Sequence, residues 1–390
     1  MSTELLERVR QRLAVGGGPP TPAVVAAAVR TEAGGVLGHT DLLAALRSLG
    51  DEFAGAGALE PLLRDPDTTD VLVTGPADVW LDGGSGLRRT DVRFPGEDAV
   101  RRLAQRLALA AGRRLDDAQP YVDAWLPGTG PHGRVRLHAV LPPLAPDGTC
   151  LSLRVLRPAT HDLAALRALG TFDARTATLL TTIVRARLAF LVVGGTGTGK
   201  TTLLAALLGC VPANERIVCV EDAGELQPSH PQVVRLVARP ANVEGVGEVT
   251  VRDLVRQALR MRPDRLVVGE VRGAEVCELL AALNTGHDGG AGTLHANSPT
   301  EVPARLEALA ALGGLSRPAL HSQLAAALQV VVHVQRTHTG QRVVAEIGVV
   351  ARTGDGTGVR VLPAWRPDGR QIGWPTLNAL LNRREGPIPC

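Results

Sequence analysis

The sequence predicts an α/β fold: a mostly parallel sheet with helices on its faces, preceded by a smaller α/β domain and a short helical N-terminal segment. Three observations carry this. From Leu188 onward, short apolar β-branched runs alternate with helix-period segments, the sign of a parallel sheet with helices packed on it. Residues 59 to 156 follow a separate α/β pattern. At 390 residues the chain is too long for one ordinary core, so several domains are expected.

Taking the chain in order, Leu5, Val9 and Leu13 share one helix face, and a GGGPPTP break follows. Ala23 to Arg30 and Thr40 to Leu49 read as short helices, completing an N-terminal adaptor over 1–54. The next domain, 55–158, shows strands at DVLVTG, DVWLDG and RVRLHAVL and a helix from Asp98 to Ala111. A linker over 159–175 leads to the third domain, 176–352. Its later strands are Ile217 to Val220, Val233 to Val237, Leu266 to Val271 and Thr293 to Ala296, with helices near 250–261, 274–285 and 299–312. Pro263 ends one helix, and Ser298-Pro299-Thr300-Glu301 offers an N-cap, an N1 proline and a capping-box glutamate. Two more strands from about Val343 and a Pro/Gly-rich tail over 353–390 close the reading.

The most informative stretch is LAFLVVGGTGTGKTTLLAALL, residues 188–208. A buried strand leads into Gly194-Gly195-Thr196-Gly197-Thr198-Gly199-Lys200-Thr201, and a helix pattern including Thr202 follows. The octet fits G-x-x-x-x-G-K-[ST] in its required strand-to-helix context. Glycines let successive backbone N–H groups converge on phosphate oxygens at a helix N-terminus. Lys200 would reach the β/γ-phosphates, and the Thr201 hydroxyl would hold Mg²⁺. Lys200 is the only lysine among 42 Lys+Arg residues. A sequence that uses arginine everywhere else keeps the compact ammonium here, where a planar guanidinium cannot replace it.

Composition narrows the function classes. A net charge of +3 on 42 basic and 39 acidic residues lacks the basic footprint of a dedicated nucleic-acid binder. The five cysteines contain no C-x-x-C pair, which argues against a zinc site or a disulfide framework. No apolar run approaches the ~20 residues of a membrane span, and MSTELLERVRQRL lacks a signal core, so a cytoplasmic protein is expected.

In parallel sheets ligands bind at the carboxyl ends of strands, so polar residues there carry weight. Three such tips stand out: Glu221-Asp222 with Glu225, Gly269-Glu270 with Arg272, and His287 with His295 around a Gly-rich turn. Acids at strand tips beside a phosphate loop can support Mg²⁺ and orient water. Glu270 ends its strand as a Walker-B acid would, with glycine before it. His295 could sense a γ-phosphate, and it could equally be an ordinary hydrogen-bonded histidine. A metal site from His287 and His295 lacks a third ligand.

The phosphate loop, VEDAGEL, MRPDRLVVGEVRG and TGHDGGAGTLHANS, in this order, resemble the secretion ATPase superfamily of type II and type IV machines. LVARPANVEGVGEVTVRDLVRQALRMRPDRLVVGEVRG is similar to the CpaF/TadA-like branch of tight-adherence (Flp) pilus assembly, whose members are often labelled conjugal-transfer proteins. The resemblance covers about 55–350. It implies a RecA-like P-loop ATPase domain, ATP and Mg²⁺ as cofactors, Glu225 as water activator and Glu270 as the Walker-B acid. It further implies His295 as the residue coupling nucleotide state to shape, with Arg154 and Arg157 of SLRVLRP reaching the nucleotide from the N-terminal domain. Family members are hexamers that act with a polytopic inner-membrane platform and, through it, on pilin subunits. A nucleic-acid motor and a nucleotide-binding scaffold without turnover are the rivals. Near-neutral charge and few aromatics oppose the first; an intact lysine and acids oppose the second.

Overall fold

The computed structural model describes residues 8–9, 11–12, 22–33, 55–84, 86–126, 134–156, 161–242 and 245–385. It divides into two compact units, Met1–Arg157 and Pro158–Cys390. The expected helix at Thr40 to Leu49 and residues 16–21 of the GGGPPTP break lie outside the described residues.

The first unit contains α1 (Pro22–Ala33), α2 (Glu60–Arg64), β1 (Asp70–Thr74), β2 (Asp78–Asp82), β3 (Leu87–Arg89), α3 (Glu97–Ala110), β4 (Tyr121–Leu126), β5 (Arg134–Val140) and β6 (Cys150–Leu156). Its antiparallel sheet runs β3-β2-β1-β6-β5-β4. Alternation decides its two faces: Val71 and Val73, Leu137 and Ala139, and Leu151 and Leu153 point inward. Val100, Leu103, Ala104, Leu107 and Ala108 form the buried stripe of α3 at helical spacing, and they share one core with those strands.

The second unit contains α4 (Leu163–Ala168), α5 (Ala174–Arg185), β7 (Phe190–Gly194), α6 (Lys200–Leu208), β8 (Ile217–Glu221), β9 (Val233–Val237), α7 (Val251–Ala258), β10 (Arg265–Val271), α8 (Glu275–Asn284), β11 (Ala291–His295), α9 (Val302–Leu312), α10 (Arg317–Ala327), β12 (Val330–Arg336), β13 (Arg342–Arg352), β14 (Val359–Arg366), β15 (Gly369–Arg370) and α11 (Trp374–Glu385). The sheet order is β15-β14-β13-β12-β7-β11-β10-β8-β9, parallel from β12 to β9 and antiparallel from β12 outward through β13, β14 and β15. Every residue of β7 and β8 is buried, as expected of strands covered on both faces. Phe190 and Val192 pack with Leu204 and Leu208 of α6, whereas Leu191 and Val193 pack with Leu279 and Leu283 of α8 on the opposite face.

Three expectations are corrected. The stretch 159–175 carries α4 within the second unit: Leu166 and Phe172 share a core with α6, and Asp162 and Asp173 cap α4 and α5 by accepting from Ala165 N and Thr176 N at 2.7 and 2.8 Å. The stretch from 353 is no tail over 359–385, because β14 extends the sheet and Leu377 and Leu381 of α11 are fully buried. Pro363 hid that strand; it pairs with Gly348 at a register shift, where a missing N–H is tolerated. The Ser298 hydroxyl does not cap the following turn; Glu301 instead accepts from Asn297 N at 3.0 Å.

Candidate nucleotide site at the strand tips

Strand order brings distant segments to one edge. In the parallel core, β11 lies between β7 and β10, and β8 lies beyond β10, so Gly194, His295, Glu270 and Glu221 all end neighbouring strands at the same edge. Gly194 and His295 are register partners. The Gly-rich loop leaves β7 there and enters α6 through Gly197 and Gly199, whose φ values of 71° and 94° lie in the left-handed region. Lys200 opens α6 and is only 9% exposed. Its Nζ donates to the loop's own Gly195 carbonyl at 2.8 Å, and the Thr198 hydroxyl donates to the same oxygen at 2.9 Å. Burial lowers the Lys200 pKa; the negative charges of Glu270 and Glu225 oppose that shift, and Arg272 adds to it.

The acids are arranged unequally. Glu221 is buried, and its Oε1 accepts from Glu225 N and Leu226 N, both at 2.9 Å. Its Oε2 has no hydrogen-bond partner, and burial raises its pKa despite the two backbone donors. Glu270 and Asp222 both accept from Arg272, at 2.6 and 2.8 Å. The expected Walker-B acid thus stands in an ion pair with the arginine two residues on.

A pairing shift in β10 between Val268 and Val271 carries Gly269 and Glu270 off the regular ladder with β11. The buried Thr293 hydroxyl donates to the Gly269 carbonyl at 2.6 Å, closing that gap from β11. Two residues further along β11, His295 Nε2 meets the Thr196 hydroxyl at 2.8 Å, tying the third strand tip to the Gly-rich loop. His287 does something different: its Nδ1 bonds the Ala282 carbonyl at the end of α8, at 3.3 Å. Among the described residues no cluster of His, Cys, Asp or Glu could hold a metal by itself.

The donor set does fit a magnesium-bound triphosphate. Thr201, in the first turn of α6, is half-buried, and its hydroxyl has no hydrogen-bond partner among the described residues. Hydroxyl and carboxylate oxygens of Thr201 and Glu270 are the hard donors that Mg²⁺ takes alongside phosphate and water. Arg342 was not legible as a site residue. It stands at the start of β13 and donates from Nε to the Gly197 carbonyl at 3.2 Å.

In the first unit, Arg154 of β6 donates to Asp70 of β1 at 2.8 Å, directly across the strand pair. Arg136 pairs with Asp123, and Arg134 stacks on Trp125. Arg157 lies outside the described residues.

A family model described as "Type II/IV secretion system protein" matches residues 52–358. The chain belongs to that family. Among relatives of this secretion family member, "Putative conjugal transfer protein Rv3659c" of Mycobacterium tuberculosis is 69% identical over 334 residues, covering 85% of this chain and 94% of that protein. "Type IV secretion system protein PtlH" of Bordetella pertussis is 32% identical over 339 residues, covering 80% and 94%. The solved structure of the ATPase DotB of Legionella pneumophila is 18% identical and superposes with a TM-score of 0.52 over 76% of this chain and 80% of that one, a likeness of fold. The family match takes in residues of both units of this secretion protein.

Proposed function

We propose that this secretion-family chain is a magnesium-dependent ATPase motor that works as a homo-hexamer and powers Flp/Tad-type pilus assembly. One observation carries the nucleotide part: the chain's single lysine is buried at a helix N-terminus, inside a Gly-rich loop, where the charges of Glu270 and Glu225 support its ammonium. Without a ligand that ammonium satisfies itself on the Gly195 carbonyl. A phosphate oxygen is a better, charge-assisted acceptor.

In this reading Gly194 to Thr202 cradle the phosphates, Lys200 contacts the β/γ end, and Thr201 with Glu270 would hold Mg²⁺, which neutralises charge on those oxygens. Glu225, whose backbone is pinned by Glu221, orients the attacking water. His295 reports the state of the loop through Thr196. Arg154 and Arg157 act on the nucleotide when subunits assemble, Arg154 leaving Asp70 to do so. Among the described residues no helix is long and apolar enough to cross a membrane. In this reading, work on pilins at the cytoplasmic face passes through a polytopic platform partner.

Phosphate release tests this. Lys200→Ala should abolish Mg-ATP binding or turnover in a folded protein, while Glu270→Gln should bind ATP and turn over slowly. Release by Lys200→Ala at the parental rate would sink the assignment. The name of the mycobacterial relative favours a second reading, a motor for conjugative DNA transfer. Stimulation of ATPase rate by DNA and not by the membrane platform would select it; the near-neutral charge favours the reverse result.

A further inference from the structure

The nucleotide reading leaves one cation at the loop unexplained. Arg342 opens β13 and is the register partner of Arg336 at the end of β12. Because β12 runs parallel beside β7, its far end and the start of β13 share an edge with the Gly-rich loop. The sheet thereby returns Arg342 to a loop 145 residues earlier, where its Nε donates to the Gly197 carbonyl at 3.2 Å. A Cβ on Gly199 would stand 3.2 Å from Arg342 Cδ, so the stem of the arginine also lies against the loop. Lys200 rests in the same way on the Gly195 carbonyl. Two cations thus hold alternate carbonyls of one loop.

Their charge has the wrong sign for the place. The N-terminus of α6 carries the positive end of a helix dipole, and cations there are disfavoured unless an anion joins them. Several arginines in this unit face carboxylates, with Arg265 on Glu215, Arg272 on Glu270 and Arg366 on Glu346, whereas Arg239 and Arg336, like Arg342, donate to glycine carbonyls, but of loops away from the Gly-rich loop. Arg342 forms no salt bridge among the described residues, and it is exposed. An exposed guanidinium on the Gly-rich loop, with no carboxylate partner among the described residues, is what a polyanion would complete.

Resting on the nucleotide reading, we infer that Arg342 is a second phosphate-binding cation: it leaves the Gly197 carbonyl for the terminal phosphate of a nucleoside triphosphate and favours triphosphate over diphosphate. Its fork can grip two oxygens at once, a contact that a lysine cannot reproduce.

The test uses the full chain with Mg²⁺ and compares fluorescent ADP with a fluorescent non-hydrolysable ATP analogue. Parent, Arg342→Ala, Arg342→Gln and Arg342→Lys are measured, and ligand-free melting confirms folding. Arg342→Gln keeps the stem should the alanine variant not fold. Arg342→Ala or Arg342→Gln should weaken the triphosphate analogue about tenfold and the diphosphate less than about threefold, the size of one charge-assisted contact. Arg342→Lys should recover only part of the preference. Equal losses for both nucleotides, no loss, or full recovery by lysine would overturn the inference. A parent that binds neither nucleotide would instead refute the nucleotide reading itself.

Discussion

Gly269 and Glu221 meet so closely that a Cβ on the glycine would stand 2.6 Å from Cγ of the glutamate. The contact joins two acids that never touch in sequence. On one side, Glu221 holds the backbone of Glu225; on the other, Gly269 immediately precedes Glu270 and is fixed by Thr293 from the next strand. A glycine before the strand-tip acid is therefore a packing requirement.

A double-mutant cycle tests that requirement. Gly269→Ala forces Glu221 aside and with it the Glu225 loop, so turnover should fall while the protein remains folded. Glu221→Ala strips the acceptor from two backbone donors and should also lower turnover. The pair should lose less than the sum of the two, because the new methyl group occupies space the shortened side chain vacates. Turnover and KM for ATP, measured for all four proteins, decide it. Strictly additive losses would mean that the two residues act separately.

The buried carboxyl also makes a prediction about pH. Burial raises the Glu221 pKa above its unfolded value, so between the two values the folded state binds more protons than the unfolded one. Stability then falls as pH rises through that window, which lies above the ordinary carboxylate range. Glu221→Gln keeps an acceptor for Glu225 N and Leu226 N and removes the titration. Its melting temperature relative to the parent should climb with pH from acid to neutral. A gap that stays constant across the series would show that Glu221 is not the group responsible.

The sequence made the shared edge of the strand tips readable because its signals are local. A strand, a glycine octet and a helix start are contiguous, Glu221, Glu270 and His295 each stand at the end of an apolar run, and Glu225 follows Glu221 by four residues. What joins them is not local. Arg342 carries no motif, and only the antiparallel return of β13 against β12 brings it to Gly197. The role of Glu221 as a brace depends on its burial, and burial follows from strand order. Pro363 and the glycines around it concealed β14 and α11, whose Trp365 and Trp374 pack together with ring centroids 5.9 Å apart. Asp162 and Asp173 stand in the sequence as N-cap residues of α4 and α5, but the short, weakly periodic α4 between them resembles a linker.

At the opposite end of β10 from Glu270 lies a charge that serves the fold. Arg265 is fully buried; its Nε donates to Glu215 at 2.6 Å and its Nη1 to the Gly289 carbonyl at 3.3 Å, while Nη2 has no partner. Burial pulls its pKa down and Glu215 pulls it back up. Arg187 also reaches Glu215, at 3.2 Å, so one carboxylate answers two guanidinium groups. Removing it by Glu215→Ala would leave a buried cation unanswered, a loss on the order of 3–5 kcal/mol. Arg265→Met, which removes the buried charge itself while keeping most of the apolar volume, should cost less. Denaturant unfolding of the three proteins measures this order. KM for ATP should change little in whatever fraction remains folded, because the pair sits a full strand length from the Gly-rich loop. A Glu215→Ala protein as stable as the parent, or one that stays stable and loses nucleotide affinity, would contradict this structural role.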